Sequence, residues 1–277
     1  MSMHESHSEN ARQDDSAPVA VRNDGAVRIL TLNRPQSRNT LSVETMDALQ
    51  TQLDRIERES EVRCAVIRAE GNGFCAGHDL KEMQAHRNDA DKGKAFFTDL
   101  FQQCTRLMGA VRKCRVPVIA EVQGIATAAG CQLVATCDMA VASERARFGV
   151  NGIDVGFFCS TPSVALSRNV DRKLAMELLL TGRMMSAEEA KSAGLVNHVA
   201  PHEQLAGMTL SMAHTVAEKS SAVASLGKKV FYEQVQMPLD DAYELAMQTM
   251  VDNLLMEDSV EGFTAFIEKR KPEWQDR

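Results

Sequence analysis

The sequence predicts an α/β fold, and three observations predict it. Short apolar runs alternate with longer segments of helical period, turn residues separate the two kinds, and strand–helix units recur about every 50 residues. The first strand is expected at 26–32, ending at the turn Asn33-Arg34-Pro35. A helix follows from Ser42, because Val43, Met46, Leu49, Leu53 and Ile56 recur at spacings of three and four and so share one face. Residues 63–68 form a short buried-strand pattern that closes on Glu70-Gly71-Asn72-Gly73. A second long helix covers about 95–114, with Phe97, Leu100, Phe101, Cys104, Leu107, Met108 and Val111 on its apolar face. Arg112, Lys113 and Arg115 crowd its end, where cations suit the helix dipole. Pro117 opens a strand at 118–122, small residues 126–137 form a closely packed helix, and 138–142 is a further strand. This periodicity fits a spiral of stacked ββα turns as well as a doubly wound sheet.

From Ser160 onward the chain reads as mainly helical. Ser186 and Glu189 are spaced as a capping box, Gly194 ends that helix, and 195–199 resembles a short edge strand. Asp240 is expected to cap a helix carrying Tyr243, Met247, Met250 and Leu254 on one face. Asp258 is expected to cap the last helix, which carries Phe263, Phe266 and Ile267.

With 277 residues, 44% of them hydrophobic, the chain is long enough for one large core or two modest domains. No apolar run approaches the roughly 20 residues of a membrane span, so no membrane partner is expected. The polar, acidic start of the chain has neither the profile of a signal peptide nor that of a transit peptide, and residues 1–20 read as a disordered tail. The net charge of −7 argues against non-specific nucleic-acid binding while leaving room for a local basic pocket. Seven cysteines, without a CxxC pair, point to a reducing cytoplasm, no structural disulfides and no zinc site.

Two stretches carry chemistry. Gly73-Phe-Cys-Ala-Gly-His-Asp-Leu80 is a small-residue turn between a strand and a short helix. Gly77 permits close backbone approach and Asp79 suits the N-cap of the helix that follows. Gly124-Ile-Ala-Thr-Ala-Ala-Gly130 lies likewise between strand and helix. Two such loops supply two helix N-termini, and a pair of converging amides makes an oxyanion hole. A tight turn and close packing, with nothing bound, explain the same residues. Neither loop is a GxGxxG or Walker pattern.

The segments LTLNRPQSRNTLS, GFCAGHDLKEM, PVIAEVQGIATAAGCQLVATCD, ARFG, TGRMMSAEEAKSAGLVNHV and EGFTAFIEKRKP stand in this order. Together they resemble the enoyl-CoA hydratase/isomerase (crotonase) superfamily over residues 23–271. The resemblance implies a crotonase-like spiral of ββα turns at 21–205 and a C-terminal helical region at 206–277. It implies assembly as homotrimers or hexamers built as dimers of trimers. It also implies an acyl-CoA thioester as substrate, with coenzyme A as part of that substrate and no permanently bound cofactor. Carried over by position, the oxyanion amides fall on His78 and Ala129. The CoA-binding loop falls on Ser37 and Arg38, with Ala76, Asp79, Leu80 and Lys81. Phe266 and Lys269 match positions that close over the adenine, and Arg38 and Lys81 suit its phosphates.

The chain departs from that pattern where family hydratases place two glutamates. It has Gln132 and Gly152 instead. Gln132 cannot take a proton from water at neutral pH, and Gly152 has no side chain. Asp154 and Cys159 are the candidate replacements in the acyl pocket, Cys159 as a nucleophile only with a lowered pKa. The nominal activity is enoyl-CoA hydratase or isomerase. The alternatives are a thioester hydrolase or decarboxylase on the same scaffold, or a non-catalytic acyl-CoA-binding protein.

Overall fold

A computed structural model describes residues 17–277. The tail expected at 1–20 therefore falls mostly outside the described residues. Its last two residues begin strand β1 (Val19–Asp24), which hairpins onto β2 (Val27–Leu32) and buries Val19 and Ala20. A single 3-10 turn at Pro35–Ser37 leads to α1 (Val43–Ile56), whose N-cap Ser42 accepts the Thr45 amide. Then follow β3 (Cys64–Ala69), β4 (Gly73–Cys75), α2 (Leu80–Ala85) and α3 (Lys94–Lys113). The next turn of chain is β5 (Val118–Val122), β6 (Ile125–Thr127) and α4 (Ala129–Thr136). After it come β7 (Met139–Ser143), β8 (Arg147–Gly149), α5 (Ser160–Leu166) and α6 (Arg172–Thr181). Strand β9 (Met185–Ser186) and α7 (Ala187–Ser192) lead to β10 (His198–Ala200). The chain closes with α8 (Leu205–Ala217), α9 (Ser221–Gln234), α10 (Leu239–Leu254) and α11 (Glu257–Glu268).

The strand order separates the two architectures that periodicity left open. One sheet runs β1-β2-β3-β5-β7-β10 and a smaller one runs β4-β6-β8-β9. From β3 to β8, successive strands alternate between the sheets, so each circuit adds one parallel strand to each before returning through a helix. That is a spiral of ββα turns and not a doubly wound sheet. Strand β2 is buried at all six positions, Arg28 and Thr31 included, because the large sheet is covered on both faces there. Leu30, Leu32, Ala65 and Ile67 face the main core, while Val27, Ile29, Cys64 and Val66 pack on Ala213 and Ala217 of α8. The C-terminal region thus begins as a lid on the sheet, and only α9 to α11 reach beyond it. Those helices expose Phe231, Leu239, Tyr243, Met250, Phe263 and Ile267.

Two expected caps are displaced. Helix α10 starts at Leu239 behind Pro238, which puts Asp240 inside the first turn. There it meets the positive end of the dipole without acting as the cap. Asp258 lies inside α11 and is buried, because its carboxylate accepts the Gln275 and Asp276 amides and ties down the chain end. The capping box at Ser186 and Glu189 forms in full, with Gly194 at positive φ just beyond the helix.

Candidate active site

The spiral delivers two strand-to-helix turns, β4 to α2 and β6 to α4, to the same end of two neighbouring parallel strands of the small sheet. They touch backbone to backbone. A methyl group on Gly77 (φ 87°) would stand 2.9 Å from Ala128 Cβ and 3.2 Å from the Ala129 nitrogen. On Gly130 it would stand 2.2 Å from the Cys75 carbonyl oxygen. Glycine is required at both places, because any side chain would push the turns apart. Ala128 sits at φ 51°, ψ −121°, an unfavourable conformation for a residue with a Cβ, held by its amide bond to Gly149 O at 2.9 Å. Ala129 follows as the first residue of α4. Among the described residues no protein acceptor takes the His78 or the Ala129 N–H.

Both turns border a cavity of about 980 Å³. It gathers Ser37, Arg38, Ala76, His78, Asp79, Leu80, Lys81 and Ala129 from the expected positions, and Gly152, Asp154 and Cys159 from the opposite wall. At its mouth, Arg38 holds φ 55° and its carbonyl accepts the Ala76 amide at 3.1 Å. Buried Asn39 fixes this loop through its side-chain amide, which donates to Glu70 O and Gly73 O at 2.9 Å each. Asp79 caps α2 by accepting the Lys81 and Glu82 amides, so its carboxylate is committed to the fold. Arg38 and Lys81 have no carboxylate partner among the described residues and are available to an anion.

The His78 imidazole donates from Nδ1 to Leu41 O at 3.2 Å, and its edge packs against Phe101 with centroids 5.4 Å apart. Burial pushes its pKa below the ordinary value, so the ring is neutral at physiological pH. Its Nε2 is buried without a partner. Phe101 in turn stacks on Phe157.

The wall that carries the hydratase carboxylates in the resembled family is different in kind here. Gln132 is 6% exposed on α4 and its Oε1 has no partner, but it does not line the cavity. At Gly152 a Cβ would stand 2.2 Å from the Phe157 carbonyl oxygen and 2.9 Å from Cys159 Sγ. The backbone of the following loop fills that place, and the Phe157 amide bonds Gly152 O at 2.9 Å to hold it there. Asp154 is exposed, and its carboxylate lies against Gly182 at the end of α6. Cys159 is buried, and desolvation raises its pKa, so it is a protonated thiol and not the activated nucleophile considered from sequence. Phe266 is 84% exposed on α11 and Lys269 ends that helix, and neither reaches this cavity. Sequence reasoning passed over Thr127 and Asn151, which line the cavity hydrogen-bonded to each other. No signal in the primary structure pairs them, since only the register of β6 on β8 brings them together.

Comparison with known proteins gives a consistent result. The family model for enoyl-CoA hydratase/isomerase matches residues 22–277. An enoyl-CoA hydratase domain-containing protein 3, mitochondrial, of Homo sapiens is 43% identical over 95% of this chain and 85% of its own length. Its namesake in Xenopus laevis is 46% identical over 92% of this chain and 85% of its own. A crystal structure of an enoyl-CoA hydratase from Mycobacterium smegmatis superposes with a TM-score of 0.88 at 46% identity, covering 93% of this chain and 98% of that one.

Proposed function

The chain belongs to the enoyl-CoA hydratase/isomerase family, and from that premise we propose that it binds an acyl-CoA thioester and polarises its carbonyl with the His78 and Ala129 backbone amides. The observation that supports this reading is the contact of Gly77 with the Ala128–Ala129 peptide, which sets side by side two turns that line the cavity and whose His78 and Ala129 amides lack protein acceptors among the described residues. Donors preorganised in this way contribute roughly 2.7–4 kcal/mol each to a developing oxyanion. Coenzyme A enters as part of the substrate, its pantetheine passing Ser37 and Ala76 and its phosphates meeting Arg38 and Lys81. No permanently bound cofactor is required for this chemistry.

Hydration of an enoyl-CoA is the nominal reaction, and Gln132 and Gly152 weigh against it. General acid–base groups contribute about 10²–10⁴-fold each. The Phe157 carbonyl in place of a side chain at 152 favours a second reading, in which the scaffold runs a reaction that needs oxyanion stabilisation first, such as thioester hydrolysis or decarboxylation. Calorimetric titration with butyryl-CoA, followed by turnover assays on crotonyl-CoA, malonyl-CoA and simple acyl-CoAs, tests both. Binding with turnover of crotonyl-CoA supports hydration, and turnover of another thioester supports the second reading. Binding without turnover of any makes the chain a non-catalytic acyl-CoA binder. A protein that binds no acyl-CoA refutes the proposal.

The exposed apolar side chains of α9 to α11 support a homotrimer, or a hexamer of two trimers, which sedimentation decides. Seven buried free cysteines support a reducing compartment. The cytoplasm is the reading from the chain's own composition. The animal relatives bear the word mitochondrial in their names, and cell fractionation separates the two.

A further inference from the structure

We propose that residues 269–277 are a latch that holds α10 and α11 to the body of the protein, and that its release frees these two helices as one unit before the sheets unfold. Helices α10 and α11 have little core of their own. Ala242 is the buried residue of α10, and Asp258 and Ala265 are those of α11. Among the described residues, no hydrogen bond or ion pair runs from 239–268 to the chain before Pro238. Helix α9, by contrast, is anchored. Its Lys228 pairs with Asp138 at 2.7 Å and donates to Val111 O and Val116 O. A segment with few buried apolar groups and few bonds to its surroundings opens at a lower free energy than the core does.

The returning chain end supplies the missing attachment. Lys269 turns it at φ 56°. On one side it is fastened to α11. Arg270 grips Glu261 through both carboxylate oxygens at 2.6 and 2.8 Å, and the Glu273 amide donates to Glu261 Oε1 at 2.7 Å. The buried Asp258 carboxylate accepts the Gln275 and Asp276 amides at 2.6 and 3.0 Å. On the other side it is fastened to the body. Trp274 Nε1–H donates to Glu218 O, at the end of α8, at 2.8 Å. Asp276 Oδ1 accepts the Ser221 amide at 2.8 Å, and its Oδ2 pairs with Arg63, the residue before β3. The Trp274 ring also lies against Gly262 of α11, where a Cβ would stand 3.3 Å from it. Asp276 is therefore the charged link between the helix pair and the sheet, and bonds to an ionised carboxylate are the strong ones.

Trp274 is the one tryptophan of the sequence, so tryptophan emission reports on the latch itself. The test follows that emission and amide hydrogen exchange, resolved by mass spectrometry, through a urea titration of the full chain. In the wild type, emission is expected to shift to the red together with loss of protection in α10 and α11, at a lower urea concentration than β2, β3 and β5 require. Without urea, Asp276→Ala should speed exchange in α10 and α11 about tenfold or more, the yield of one lost hydrogen bond to a charged group. Exchange in α9 and the sheets should stay within about twofold of the wild type, as for a local opening. Helix α10 gives the decisive reading, because no hydrogen bond joins it to residues 269–277 and only a shared opening can speed it. Arg63→Gln, which removes the partner on the body side, should act in the same direction. An emission change that coincides with loss of the sheets overturns the proposal. So does an Asp276→Ala protein in which α10 exchanges as in the wild type, or one in which helices and sheets speed up alike. Should Asp276→Ala fail to fold, the wild-type titration and Arg63→Gln still decide.

Discussion

Restoring the family's missing carboxylate at 152 is expected to damage the protein and not to revive hydration. A Cβ at this position would stand 2.2 Å from the Phe157 carbonyl oxygen and 2.9 Å from Cys159 Sγ, against ordinary contacts near 3.4 Å and above. The loop must therefore move by about 1 Å, and its own closing bond, Phe157 N–H to Gly152 O, resists the move. Overpacking of this kind costs typically 1–3 kcal/mol. In a chain of this size each kcal/mol lowers Tm by about 2–4 °C. Gly152→Ala should thus melt roughly 2–12 °C below the wild type by differential scanning calorimetry. The Gln132→Glu/Gly152→Glu double variant should show no more crotonyl-CoA hydration than the parent, followed at the enoyl-thioester absorbance. A Gly152→Ala protein that melts with the wild type would refute the steric argument. A double variant that hydrates crotonyl-CoA would refute the conclusion that this wall has been rebuilt.

Three further outcomes follow from the same structure. Gly77→Ala meets Ala128 Cβ at 2.9 Å and must hold φ 87°, so acyl-CoA affinity should fall at least tenfold, with about 1–3 kcal/mol of stability lost to backbone strain, read by titration and chemical denaturation. Glu121 on β5 is buried, and desolvation, against the attraction of Arg68, raises its pKa above 4.5. The folded protein therefore holds that proton more firmly than the unfolded chain does, and this group's contribution to stability declines as pH rises from 4.5 through the raised value. Glu121→Gln should gain on the wild type over that window and gain nothing below it; a pH-independent difference in Tm would count against this assignment. All seven cysteines are buried thiols, with Cys75 and Cys131 pushed up to about 12, so the native protein should react slowly with a thiol-specific disulfide reagent and titrate seven thiols only after unfolding.

Where a feature is periodic or punctuated by glycine, the sequence exposed it. The faces of α1 and α3, the capping box at Ser186 and the two small-residue turns are all of that kind. Features that depend on registry were hidden. Strand β1 escaped because half of it faces outward and its partner lies across a hairpin turn. Asp258 looks like a helix cap in one dimension, and only the return of the chain end reveals that it anchors residues 275 and 276. The Thr127–Asn151 pair and the filled space beside Gly152 arise from chain segments meeting across β6, β8 and the loop that follows. Residue identity alone carries no trace of either.

The glycine contact between the two amide-bearing turns bears on how such a chain diverges. Because peptide meets peptide with no side chain between them, the separation of the His78 and Ala129 amides is insulated from substitutions elsewhere in the cavity. Residues that donate, accept or fill can then be exchanged one at a time while that spacing persists. Natural selection is left a fixed ruler on which to try new acids, bases and substrates.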